Sequence, residues 1–124
     1  MRVKEKKVSK SIEHLMGLFE QQLVILNPRR DLRELDDALY DFFSEFGRNK
    51  SIEDVSILDT EYYRKIRIRD GCSDAEINKR LSFVCQFFNF LRDYLDYQIP
   101  NPASKRERSQ WLELKKEKAA SLPS

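Results

Sequence analysis

The stretch from Gly71 to Ala103 most constrains what this chain can become. Gly71 can take the positive φ that closes a preceding helix. Ser73 follows as a candidate N-cap, with Glu76 three residues on in the reciprocal capping arrangement. Ile77, Leu81, Val84, Phe88, Leu91 and Leu95 then mark one helical face. Phe83, Phe87 and Phe90 widen that face until the middle of the helix is apolar on most sides. A helix of this kind must be surrounded by others, so it is expected to be the centre of a small bundle. Pro100 and Pro102 prevent its continuation, and Pro102 also disfavours a helical Asn101.

The other helices read from periodicity. Ile12, Leu15, Met16, Phe19, Leu23 and Leu26 predict an amphipathic helix from Ser11 to Leu26, with His14 beside its apolar stripe. Pro28 suits the first turn of a second helix, with Asp31 and Glu34 as its capping pair. Its apolar face is Leu32, Leu35, Leu39, Phe42, Phe43 and Phe46, and Gly47 ends it. Arg29, Arg30 and Arg33 fall in the expected first turn, where the helix dipole favours acids. Glu34, Asp37, Asp41 and Glu45 form an acidic stripe that reads as a solvated face, turned away from any phosphate. Residues 47–58 are a connector with a half-turn at Ile52 to Val55. Asp59 or Thr60 can cap a third helix from Glu61 to Arg69, with Tyr62, Tyr63 and Ile66 toward the core. Arg64, Lys65, Arg67 and Arg69 make that helix the most basic part of the body.

These elements predict an all-α fold, a small bundle of four main helices. A basic arm spans residues 1–10, the helical domain 11–103, and a charged segment and linker 104–124. Forty per cent hydrophobic residues, eight of them Phe, suffice for a core in 124 residues, and three Gly with four Pro argue against a β fold. No apolar run approaches the roughly 18 residues of a membrane helix, and the basic start has no apolar segment of a secretory signal. No membrane partner is expected, and the location is expected to be cytoplasmic. Cys72 and Cys85 lack metal-ligand spacing and read as free thiols.

The net charge of +2 is segregated: residues 1–10 carry +4 and residues 104–118 carry +3, which leaves the body at −5. A body so charged binds DNA only if its basic residues are sorted onto one surface. Asn78, Lys79 and Arg80 lie in the first turns of the central helix, where Asn can pair with adenine and Arg with guanine in a major groove.

The pattern Gly-x-Ser-x-x-x-Ile-Asn-x-x-Leu-Ser-x-Val-x-x-Phe-Phe-x-Phe-Leu, closed by Ile-x-Asn-Pro-Ala, resembles the last main helix of one known domain. That domain is the N-terminal SAM-like, core-binding domain of tyrosine recombinases, the phage-type integrases. The matching positions run from Gly71, Ser73, Ile77 and Asn78 to Asn101, Pro102 and Ala103. Glu76 stands where the family often has Thr, and Cys85 where it often has a basic residue. The resemblance covers roughly residues 10–103 and extends loosely through the Leu-Pro-containing end.

The resemblance implies an orthogonal, SAM-like bundle that forms the non-catalytic half of a clamp around a recombination site in double-stranded DNA. It implies self-association of the parent recombinase on DNA, with the first helix free to touch a neighbouring protomer, and a nucleoid-associated protein of prokaryotic or phage origin. Carried onto this chain, the DNA-binding candidates are Arg29, Arg30 and Arg33, then Ser73, Asn78, Lys79 and Arg80, with Arg64 and Lys65 behind them. If Arg80 reads a base, Arg80→Ala is expected to cost about 1–3 kcal/mol of binding.

The catalytic His-x-x-Arg motif of that family is missing, since His14 is followed by Leu15, Met16 and Gly17. No catalytic residue, cofactor, metal site or small-molecule substrate is expected, and this polypeptide should not cleave DNA by itself. The rival expectation is a protein-interaction module, whose acidic stripe and Trp111 segment meet a partner without any role for DNA.

Overall fold

The computed structural model describes residues 8–46 and 50–121, with side chains through residue 118. Among these residues the chain is an all-α bundle of five helices. They are α1 (Lys10–Leu26), α2 (Arg33–Ser44), α3 (Ile57–Arg69), α4 (Asp74–Tyr94) and α5 (Lys105–Ser121), with a 3-10 turn at Ile52–Asp54. No helix among them is long and apolar enough to cross a membrane.

α4 is the centre. It packs against α1, α2 and α3, and it buries Ile77, Leu81, Val84, Phe87, Phe88, Phe90 and Leu91. Phe87 joins three helices, with its ring centroid 5.6 Å from Phe19 of α1 and 5.6 Å from Phe43 of α2. Phe42 extends the aromatic core to Tyr63 of α3 at 5.3 Å. Offset and edge-on rings at such separations add about 0.5–1.5 kcal/mol per pair beyond area burial.

The turn between α3 and α4 follows the expectation at Gly71 and at the Ser73 cap, while the reciprocal bond from Ser73 N–H to the Glu76 side chain does not form. Gly71 has φ of 91°, Cys72 N–H donates to Arg67 C=O at 2.9 Å, and Gly71 N–H donates to Ile68 C=O at 3.0 Å. These bonds satisfy the last carbonyls of α3. Ser73 Oγ then accepts from Glu76 N–H at 3.2 Å. The Glu76 carboxylate reaches Arg80 at 3.8 Å, an i,i+4 pairing.

Several boundaries differ from the periodic reading. Residues 8–10 belong to the body, because Val8 is buried in the core and Ser9 caps α1. The rest of the basic arm, like Gly47, lies outside the described residues. Leu26 was placed on the buried stripe but is 67% exposed, together with Val24 and Ile25, because α1 outruns the helices that cover it. Pro28 sits in a turn closed by Arg30 N–H to Asn27 C=O at 3.1 Å, and α2 begins only at Arg33. The Asp31 carboxylate accepts from Arg33 N–H at 3.0 Å and from the Arg33 guanidinium, so the capping pair with Glu34 does not form.

α3 starts earlier than expected. Ser56 is its N-cap, and Asp59, at the third helical position, accepts from Ser56 N–H at 2.9 Å. Thr60 is buried and donates to Pro102 C=O at 2.9 Å, a bond across the fold rather than a cap. Tyr62, expected in the core, is 54% exposed, while its neighbour Tyr63 is fully buried. α4 stops at Tyr94, before either proline; Asp96 turns the chain with φ of 57°, and Tyr97 N–H donates to Leu91 C=O at 3.0 Å. The charged segment forms a 17-residue helix through Ser121.

Candidate nucleic-acid interface

The Asn-Pro-Ala closure fastens α5 to the body. Asn101 is buried, and its amide donates to Cys85 C=O at 3.0 Å and to Asn89 Oδ1 at 3.0 Å, while its Oδ1 accepts from Ala103 N–H at 3.1 Å. Cys85 and Cys72 are free thiols. The Glu107 carboxylate accepts from Asn101 N–H and pairs with Arg92 of α4 at 3.0 Å. Arg108 pairs with Glu61 of α3. Four points of attachment, counting Thr60 on Pro102, orient the first turn of α5.

The acidic stripe of α2 is solvated only in its first half: Glu34 and Asp37 are exposed, whereas Asp41 and Glu45 are partly buried. Asp41 accepts from the Tyr63 hydroxyl, from Arg67 Nε at 3.0 Å, from Arg67 Nη2 at 2.9 Å and from Arg80 Nη1 at 3.1 Å. Arg67 also meets Glu45, pairs with Asp70 at 2.9 Å, and lies over the Tyr63 ring 5.0 Å from its centroid. Glu34 pairs with Lys79. Of the four acids only Asp37 faces solvent without an ion pair among the described residues. The stripe borders the apolar face of α2, so the packing that buries Leu39 and Phe42 also presses its acids onto α3 and α4.

Burial alone would raise the Asp41 carboxyl, but the hydrogen bonds from Arg67 and Tyr63 and the charges of Arg67 and Arg80 hold it below its usual range. Tyr63 is pushed up to about 12 by burial, by its bond to Asp41 and by that carboxylate's charge. Elsewhere, at the α1–α2 contact, burial and the neighbouring Asp36 carboxyl push Glu20 up to about 7.

The seam sorts the candidate DNA-binding residues. Arg80 is turned inward to Asp41 and Tyr63's surroundings, and its side chain is 32% exposed. That posture suits a structural cation better than a reader of base edges. Lys79 is exposed and shares its charge with Glu34, which brings the start of α2 beside the second turn of α4. Arg33 follows as the neighbour of Glu34, tied to Asp31 at 2.7 Å. Arg29 and Arg30 lie in the turn before α2 rather than in its first turn, exposed and without an ion pair among the described residues. Ser73 is exposed and acts as the cap of α4.

On the other side of α4, Asn78 is exposed and accepts from Arg64 Nη1 at 3.0 Å. Lys65, next to it in sequence, is exposed and carries no ion pair among the described residues. Thus Lys79 faces the start of α2 while Asn78 meets α3. Together these contacts set Lys79 against the start of α2 and Asn78 against Arg64 of α3, on two sides of the first half of α4. Periodicity missed Arg67 and Arg108, since their partners lie 26 and 47 residues away.

Comparison with protein-family models, with curated proteins and with solved structures finds no match to this chain.

Proposed function

We propose that this chain is the DNA-binding, non-catalytic domain of a site-specific tyrosine recombinase, contributing half of a clamp around the recombination site in DNA integration or recombination. The observation that carries the reading is the gathering of cations about the first half of α4. Lys79 bonds to the start of α2 and Asn78 to Arg64 of α3, while the body's most enclosed acids are neutralised within the seam. A negatively charged body can then still offer phosphates cations on either side of α4, Arg29 and Arg30 before α2 and Arg64 and Lys65 on α3. The resemblance of residues 71–103 supports the same reading, because it names the helix between those two groups.

On this reading, phosphate contacts supply most of the affinity and Asn78 a smaller sequence preference. The strand-cleaving chemistry belongs to a catalytic domain of the parent protein, which also brings protomers together on DNA.

A second reading, a protein-interaction module, is favoured by the bare apolar end of α1. Val24 and Ile25 border a shallow groove with Gly17, Glu20 and Gln21. Fluorescence-anisotropy titration of duplex DNA across a salt series separates the two. DNA binding predicts a linear log–log salt dependence with a slope of several counterions, reduced by about one in Arg30→Gln. Absence of binding at low salt removes the DNA reading in favour of the second.

A further inference from the structure

We propose that Arg64 of α3 and Arg108 of α5 together hold a single backbone phosphate of duplex DNA. The inference rests on the DNA-binding reading above and adds to it a residue of α5 that the family resemblance does not reach.

Arg64 is the exception among the enclosed arginines. Arg67, Arg80 and Arg108 each meet a carboxylate within ion-pair distance. Arg64 meets none: its Nη1 donates to the neutral Asn78, and its Nε is buried with no acceptor. A guanidinium offers five donors in a planar fork that suits two oxygens of one anion, so one neutral acceptor leaves most of that capacity unused.

Arg108 is delivered to the same place. Glu61 and Arg64 are three residues apart on α3, where side chains are neighbours with about 5–6 Å between Cβ atoms. Glu61 grips Arg108 through both carboxylate oxygens. The second guanidinium therefore stands one turn from the first. The closeness is felt: burial and the Arg108 charge both hold the Arg64 pKa below its usual value, with Glu61 and Asp74 offsetting only part of this. Neither carboxylate pairs with Arg64, so its charge at the α3–α5 junction is only partly offset. A phosphodiester, with one negative charge and two free oxygens, is the DNA group that neutralises it in charge and shape. The junction is continuous with the candidate surface through the Arg64–Asn78 bond.

The test is anisotropy titration of duplex DNA over a salt series with the wild-type chain, R64Q, R108Q, the double variant and E61Q, each checked by circular dichroism for an unchanged fold. Each single variant is expected to weaken binding several-fold and to lower the log–log slope by about one. The double variant should lose no more slope than either single, because both residues serve one phosphate. E61Q, which keeps an acceptor to position Arg108 while removing the competing negative charge, should bind at least as tightly as wild type. Wild-type binding with R64Q and R108Q unchanged would overturn the proposal and leave the DNA reading standing. So would a doubled loss of slope in the double variant, or weakening in E61Q, which would mark Arg108 as a purely structural tie. If the wild-type chain does not bind, the DNA reading fails and this inference goes with it.

Discussion

Arg67 clasps Asp41 in a fork, with Nε at 3.0 Å and Nη2 at 2.9 Å from the two carboxylate oxygens, and only 11% of the arginine side chain meets solvent. The pair spans α2 and α3 and is completed by Tyr63, Arg80 and Glu45. Removing the arginine leaves two carboxylates facing each other beside the core. Arg67→Met is therefore expected to destabilise the fold by about 3 kcal/mol, read from urea unfolding. Adding Asp41→Asn to that variant should recover part of the loss, since the unpaired charge is its main source.

Arg80 touches the same carboxylate from α4 with a more exposed side chain. Arg80→Ala is expected to lower stability by about 1 kcal/mol or less. Its effect on DNA affinity should be smaller than that of Arg30→Gln. Parallel denaturation and anisotropy measurements on the two variants check the order.

Two carboxyls give the stability profile opposite slopes. Glu20 titrates near pH 7 when folded and near 4.5 when unfolded, so the folded state holds more protons between these values. Its contribution is complete below pH 4.5 and is lost as the pH rises through about 7. Asp41 is shifted the other way, so its contribution is present above its unfolded value of 3.8 and lost as the pH falls below it. Urea midpoints measured from pH 3 to 8 should fall at both ends, and Glu20→Gln should flatten the neutral limb while leaving the acid limb in place.

Asn101 ties the closing segment to α4 with two hydrogen bonds at 3.0 Å, and its Oδ1 accepts a third from Ala103 N–H at 3.1 Å. Truncation to alanine leaves the buried Cys85 carbonyl short of a donor. The expected cost is about 1–3 kcal/mol in global unfolding. Faster amide hydrogen exchange in the first turn of α5 should accompany it, because the Glu107 bond depends on the same backbone.

What could be read in advance was whatever local chemistry decides. The caps at Ser73 and Gly71 and the apolar face of α4 need only neighbours within one or two turns, and they stand where the spacing put them. Asp31 and Pro28 carry equally local signals, yet the Arg33 guanidinium captured the former and a turn through Asn27 absorbed the latter. The acidic stripe misled for a different reason. Period alone places Glu34, Asp41 and Glu45 on one edge of α2, but whether that edge meets water or Arg67 depends on how α3 docks. The same holds for the candidate DNA-binding cations: they were visible as residue types, while their division into paired and unpaired side chains exists only in three dimensions.

The first turn of α5 is fastened at Glu107, Arg108 and the Pro102 carbonyl, so the helix inherits its direction from α3 and α4. Its 17 residues make a lever of about 25 Å. A tilt of roughly 10° at its root would sweep the far end through about 4 Å, an amplification set by the 1.5 Å rise per residue. A small adjustment where α3 meets α4 is thereby converted into a displacement about the size of an amino-acid side chain at the distal end of α5.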